Sequence, residues 1–155
     1  MKNNKVTYLD KNLTRINKAL LNSIPEKNYS EITKAIHYSV MNGGKRIRPQ
    51  LMLLIAEALE VDVDNKTIDL MAAAGELIHC YSLIHDDLPA MDDDDFRRGK
   101  LSCHKKFSEA TAILAGDAIQ PLSLEILTSI NDNNLSAESK CQIINIFAKA
   151  CGPKG

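Results

Sequence analysis

Residues Ile68–Lys100 read IDLMAAAGELIHCYSLIHDDLPAMDDDDFRRGK. Ile68, Met71, Ala72, Gly75, Leu77, Ile78 and Tyr81 recur at helical spacing, and Leu77–His85 continue the pattern. The stretch therefore reads as one long helix, with Pro89 weakening or kinking the chain beyond it. Asp86 and Asp87 fall at its C-terminal end, where carboxylates oppose the helix dipole. Six aspartates crowd the ten positions from Asp86 to Asp95. Two like charges about 4 Å apart cost roughly 1 kcal/mol in water and about 4 kcal/mol at an effective dielectric near 20. Local stability does not explain such a cluster; a bound cation does.

Outward from this segment the chain reads as helix after helix. Leu9, Leu13, Ile16, Leu20 and Ile24 keep one face before Pro25. Ser30 caps a second helix holding Ile32, Ala35, Ile36 and Val40, which Asn42-Gly43-Gly44 ends. Pro49 suits the first turn of a third, running to about Glu60, and Asp64 or Asn65 starts the helix of the quoted stretch. Ser108 caps a fifth helix, rich in small residues that allow close packing. Ser136 caps a sixth, holding Ile143, Ile144, Phe147 and Cys151 and closed by Gly152-Pro153. No segment alternates as a strand does. The expected fold class is all-α, a helical bundle.

The chain has 155 residues, enough for one domain with a sizeable core. Its net charge of −1 gives no prior for nucleic acid or an anionic membrane surface. No transmembrane segment is expected, since the richest apolar run, Leu51–Leu59, is short and broken by Glu57. Met1–Asn12 has no apolar core of a signal peptide. Cys80, Cys103, Cys141 and Cys151 show no CxxC spacing, which fits reduced thiols and a cytoplasmic location.

Asp86 and Asp92, six residues apart, can meet on adjoining turns, while Asp87 points about 100° away. Oxygen ligands without imidazole or thiolate favour a hard cation. Mg²⁺ commonly takes one or two carboxylates and completes its shell with water and phosphate oxygens. The competing reading is a solvated acidic loop; an EF-hand is excluded by the missing central glycine and terminal glutamate. Arg97 and Arg98 diverge in direction and suit two different anions, or else neutralise the aspartates. Gly43–Pro49, GGKRIRP, places three cations and two glycines at a helix start, an anion site or a basic turn. His79 faces an anion or is packed in the core. The pairs His79-Cys80 and Cys103-His104 do not suit zinc, because neighbouring helical side chains diverge.

The blocks GGKRIRP, LIHDDLPAMDDDDFRRGK, CHKKF and AILAGDAI, in this order, closely resemble the trans-prenyl diphosphate synthases, in the bacterial branch whose product is the fifteen-carbon farnesyl diphosphate. The likeness runs from about Tyr29 to Cys151. It implies a helical bundle around a deep cavity and a Mg²⁺-dependent prenyltransferase that works as a homodimer without nucleic acid or membrane. By the resemblance, Asp86 and Asp92 bind the magnesium that holds the allylic diphosphate, and Arg97 contacts that diphosphate. Lys45, Arg48, His79 and Arg98 hold isopentenyl diphosphate with the Gly44 backbone close by. Tyr81, five residues before Asp86, floors the cavity and limits product length.

The family also needs a second aspartate-rich motif with lysine, threonine and glutamine contacts, which this sequence lacks. Residues 1–155 are therefore expected to be the N-terminal portion of one synthase domain, inactive alone. The alternatives are a non-catalytic diphosphate-binding or regulatory subunit, a degenerate relic, a terpene cyclase, or a synthase of geranyl or geranylgeranyl diphosphate.

Overall fold

The computed structural model describes residues 7–26 and 28–153. The readings of Met1–Val6 and of the chain stop at Gly155 lie outside the described residues. Among those residues run seven helices: α1 Tyr8–Ser23, α2 Glu31–Val40, α3 Ile47–Ala58, α4 Asn65–Asp86, α5 Cys103–Lys106, α6 Glu109–Thr128 and α7 Ala137–Ala150. A two-stranded ladder, β1 Phe96–Arg97 and β2 Lys100–Leu101, lies between α4 and α5. The expected all-α bundle is what forms.

Local chemistry sets the helix starts. Thr7 and Asp10 close a capping box on α1, and Ser30 and Thr33 do so on α2. Ser108 accepts from the Thr111 amide at 3.0 Å and Ser136 from the Ser139 amide at 3.1 Å. The N-cap residue of α4, Asp64, makes no side-chain cap. Instead Asp132, on the α6–α7 connection, accepts from the Asp64 amide at 2.8 Å and from the Thr67 hydroxyl at 2.7 Å. A distant residue thus takes one backbone amide and one hydroxyl at this helix start.

Helix α4 is the axis of the bundle, packed on α1, α3 and α6. Its 22 residues reach about 33 Å at the usual helical rise. Ala73, Ala74 and Leu77 of α4 and Ala112, Ala115 and Ile119 of α6 are fully buried. The small side chains let the two backbones approach closely, which fixes where α4 ends and its aspartates begin.

Four expectations are corrected. A strand pair does form, over two residues each, joined by Arg98-Gly99 with φ of 56° and 77°. Two positive φ values make the type I′ turn that suits a tight hairpin; strands this short carry no alternation to read. The short α5 precedes the expected fifth helix, whereas Pro49 does lie in the first turn of α3. Leu9, assigned to the inner face of α1, is exposed, and Asn12 is buried in the first turns instead. Finally, Glu109–Ser129 is long and apolar enough to cross a membrane by length and composition. The reading of no such segment missed it because small residues, Asp117 and Glu125 interrupt its large apolar positions. In the bundle α6 buries Ala112, Ala115, Gly116 and Ile119, as a core helix does.

Candidate functional site

The basic loop between α2 and α3 is built around Arg46. This residue has φ of 49° and is 3% exposed, so its side chain turns inward. Its guanidinium donates to Glu76 at 2.8 Å, to the Val40 carbonyl at 2.6 Å and to Asn17 at 3.1 Å. Glu76, on α4, is 2% exposed. With Arg46 consumed inside, the neighbouring cations Lys45 and Arg48 stay exposed. Sequence reasoning counted three equivalent cations here and assigned no role to Glu76. A carboxylate within the apolar run AAAGELI was the available signal, because a buried charge needs a partner.

The loop is stitched to the hairpin. Buried Asn42 donates to the Arg97 carbonyl at 3.0 Å, and the Arg98 guanidinium donates to the Gly43 carbonyl. Gly44 has φ of 115°, and a Cβ there would come within 2.5–2.9 Å of the Arg98 guanidinium. Glycine is thus required by the backbone conformation, while an added Cβ would displace the Arg98 guanidinium. Lys45, Arg48, His79 and Arg98 line one cleft of about 140 Å³ over the buried Arg46–Glu76 pair. All the residues expected to hold the second anion are brought together. Larger clefts exist, about 930 Å³ between α1 and α4 and about 510 Å³ of almost wholly apolar surface between α3 and α4. The α1–α4 cleft is also lined by cations, Lys11, Arg15, Lys18 and Lys66; the small one differs in joining the GGKRIRP loop to His79 and Arg98.

His79 is half-buried on the wall of this cleft. Burial holds its pKa below the ordinary histidine value, and Arg48, Arg98 and Arg46 push the same way, with Glu76 opposing. The ring is therefore neutral at pH 7, able to donate one hydrogen bond to an anion. Cys80 beside it is a buried thiol pushed up to about 12 by desolvation, which removes thiolate chemistry from this wall. All four cysteines are free.

Beyond α4 the chain folds back on itself. The Asp92 amide donates to the Asp86 carbonyl at 2.8 Å, and the Met91 and Asp93 amides donate to the Leu88 carbonyl. These turns bring the backbones of Asp86 and Asp92 together, as the spacing suggested. Neither carboxylate takes a hydrogen bond or ion pair from the described residues. Asp86 does feel the charge of Arg97, but carboxylates left without a hydrogen bond or ion pair fit a hard divalent cation sharing its shell with phosphate oxygens. Asp87 differs: it is 2% exposed and pairs with Arg97, whose Nε donates at 2.9 Å. Arg97 also pairs with Asp94 at 3.2 Å. Sequence reasoning turned Asp87 away correctly but missed that it anchors Arg97, leaving Nη1 as the guanidinium nitrogen engaged by neither carboxylate.

His79 and Asp86 are seven residues apart on α4, so they share a helix face about 10 Å apart along the axis. The basic cleft and the free carboxylates therefore address the same side of the bundle. Tyr81 is half-buried and meets His85 edge-on, with ring centroids 5.8 Å apart. His85 in turn lies flat against Gly116 of α6, where an added Cβ would overlap its ring. Gly116→Ala is expected to cost about 1–3 kcal/mol through overpacking. Because Asp86 follows His85 directly, the carboxylate should shift too. A thermal melt and magnesium-dependent ligand binding would read both effects, and an unchanged melt would contradict this packing.

Residues 29–152 match the family described as Polyprenyl synthetase. The chain is 47% identical over 144 residues to a protein named farnesyl diphosphate synthase from Haemophilus influenzae, covering 92% of this chain and 48% of that relative. It is 48% identical to one of the same name from Micrococcus luteus, covering 92% and 47%. A solved structure named geranyltransferase, from Legionella pneumophila, superposes with a TM-score of 0.88 at 46% identity, covering 95% of this chain and 52% of that one. The chain thus spans about half the length of the curated relatives it matches.

Proposed function

The chain belongs to the polyprenyl synthetase family, and from that premise we propose that it supplies two diphosphate sites of a cytoplasmic, magnesium-dependent prenyltransferase making farnesyl diphosphate. The observation that carries this is the pairing of two unlike anion sites on one face of α4. One is a basic cleft formed by Lys45, Arg48, His79 and Arg98. The other is a pair of carboxylates, Asp86 and Asp92, that take no hydrogen bond or ion pair among the described residues. A condensation of two diphosphate esters needs such a difference, since only one of them has to lose its diphosphate. Condensation itself, and a homodimeric assembly, are proposed for a polypeptide of the relatives' length.

Lys45, Arg48, Arg98 and His79 hold isopentenyl diphosphate, and the Gly44 backbone permits its close approach. Asp86 and Asp92 hold magnesium, which when bound neutralises the allylic diphosphate and favours its departure. Arg97, braced by Asp87, presents Nη1 to the same group. The allylic carbon–oxygen bond breaks with its electron pair leaving on pyrophosphate. The isopentenyl double bond attacks that carbon, and a proton passes to the released pyrophosphate to restore the alkene. Tyr81 limits chain growth. The relatives' printed names are those of synthases, so a non-catalytic subunit gains no support from them.

Arg48→Ala and Lys45→Ala are each expected to weaken isopentenyl diphosphate binding about tenfold, roughly 1.4 kcal/mol for one charge-assisted contact. Magnesium-dependent binding of geranyl diphosphate should be unaffected. No loss in either variant would sink the assignment. The lowered pKa of His79 adds a pH test. Without ligand, the unfolded chain binds the proton more tightly, so stability falls as pH drops from the ordinary histidine value through the lower folded one. A bound diphosphate offsets the surrounding cations and raises the ring's pKa, so binding takes up a proton. Wild-type affinity should therefore tighten on acidification more than that of His79→Gln, measured by calorimetry from pH 8 to pH 6.

A further inference from the structure

We infer that Asp93, Asp95 and His104 form a binding site for a divalent transition cation, separate from Asp86 and Asp92. Each of the three offers a ligand atom, and these atoms lie within 4.8 Å of one another. Asp93 and Asp95 lie on the exposed loop between α4 and β1, and His104 lies on α5. The hairpin folds this loop back, since the Ser102 amide donates to the Asp95 carbonyl at 2.9 Å.

The independent observation is the histidine itself. His104 is 7% exposed, and its Nε2 is fully buried with no hydrogen-bond partner. Its Nδ1 lies 3.1 Å from the hydroxyl of Ser102, which is 1% exposed. With Nδ1–H donating to that oxygen, Nε2 carries the lone pair a metal needs, the usual arrangement for a ligating imidazole. Leaving such an atom buried and unpaired is unfavourable. A cation engaging Nε2 together with the two carboxylates would remove that cost.

One imidazole and two carboxylates suit zinc or manganese better than magnesium, which prefers an all-oxygen shell. Ligand atoms around a tetrahedral zinc sit about 3.4 Å apart at bond lengths near 2.1 Å. The cluster would thus contract by about 1 Å on binding. Lys105 pairs with one Asp95 oxygen at 2.8 Å and leaves the other for the cation. A cation here would tie the loop beyond Asp92 to α5, bracing the proposed magnesium carboxylates from behind.

The test uses zinc alone, in competition with a chromophoric chelator. The protein would carry Cys141→Ser, because the exposed Cys141 thiol can take zinc itself. One equivalent should bind, and Asp93→Asn combined with Asp95→Asn should weaken it at least tenfold. Asp86→Asn with Asp92→Asn should leave it unchanged, and millimolar Mg²⁺ should not displace it. His104→Gln should abolish binding; if that variant misfolds, the loop pair decides, since both side chains are exposed. Absence of stoichiometric zinc, or uptake indifferent to Asp93 and Asp95, would overturn the inference. No diphosphate enters this experiment, so its failure leaves the prenyltransferase reading untouched.

Discussion

Glu76→Ala is expected to destabilise the protein by about 3–5 kcal/mol, the usual cost of stranding one member of a buried ion pair. For a domain of this size that lowers the melting temperature by roughly 10 °C. Arg46 and Glu76 are 3% and 2% exposed and 2.8 Å apart. The Arg46 guanidinium also binds Val40 of α2 and Asn17 of α1, so one side chain joins α1, α2 and α4 at the start of α3. Removing the carboxylate leaves a buried cation with only neutral acceptors. The loop carrying Gly44, Lys45 and Arg48 should loosen, and isopentenyl diphosphate binding should fall with stability. Replacing both partners, Arg46→Met with Glu76→Leu, should recover much of the stability, because no charge is then left buried. A melt of Glu76→Ala within about 1 kcal/mol of wild type would show that the pair is not the tie described.

Asp86→Asn combined with Asp92→Asn should reduce magnesium-dependent binding of geranyl diphosphate at least a hundredfold, with isopentenyl diphosphate binding retained. An amide keeps the shape of the carboxylate but supplies no charge to a hard cation. The fold should be little changed, since these carboxylates take no hydrogen bond or ion pair among the described residues and repel their acidic neighbours. Asp87→Asn should behave differently. It removes the charge paired with Arg97 in a site 2% exposed, so it should destabilise the fold while the cation ligands remain. If the double variant kept magnesium-dependent binding, the assignment of Asp86 and Asp92 would fail.

Most of the helices were legible because they carry their own punctuation. Ser30, Ser108 and Ser136 cap as residues of their type do, and Gly43-Gly44 stop α2 through positive φ. The aspartates and GGKRIRP were legible because so many like charges at fixed spacing have few structural uses. What stayed hidden depends on direction. Nothing in Lys45-Arg46-Ile47-Arg48 says which cation turns inward; the left-handed backbone at Arg46 decides it. The hairpin was hidden because two residues per strand carry no period, although Arg98-Gly99 was a usable turn signal. That hairpin sends Arg97 to Asp87 and Arg98 to the Gly43 carbonyl, giving substance to the expectation that the two arginines diverge. The capping of α4 by Asp132 was invisible because its partners lie more than 60 residues away.

The most direct test of two unlike diphosphate sites is a calorimetric titration of the purified protein with isopentenyl diphosphate and with geranyl diphosphate, each in Mg²⁺ and in EDTA. Isopentenyl diphosphate should bind in both buffers through the basic cleft, and geranyl diphosphate only when Mg²⁺ is present. Equal magnesium dependence for the two ligands, or no binding of either, would contradict the account.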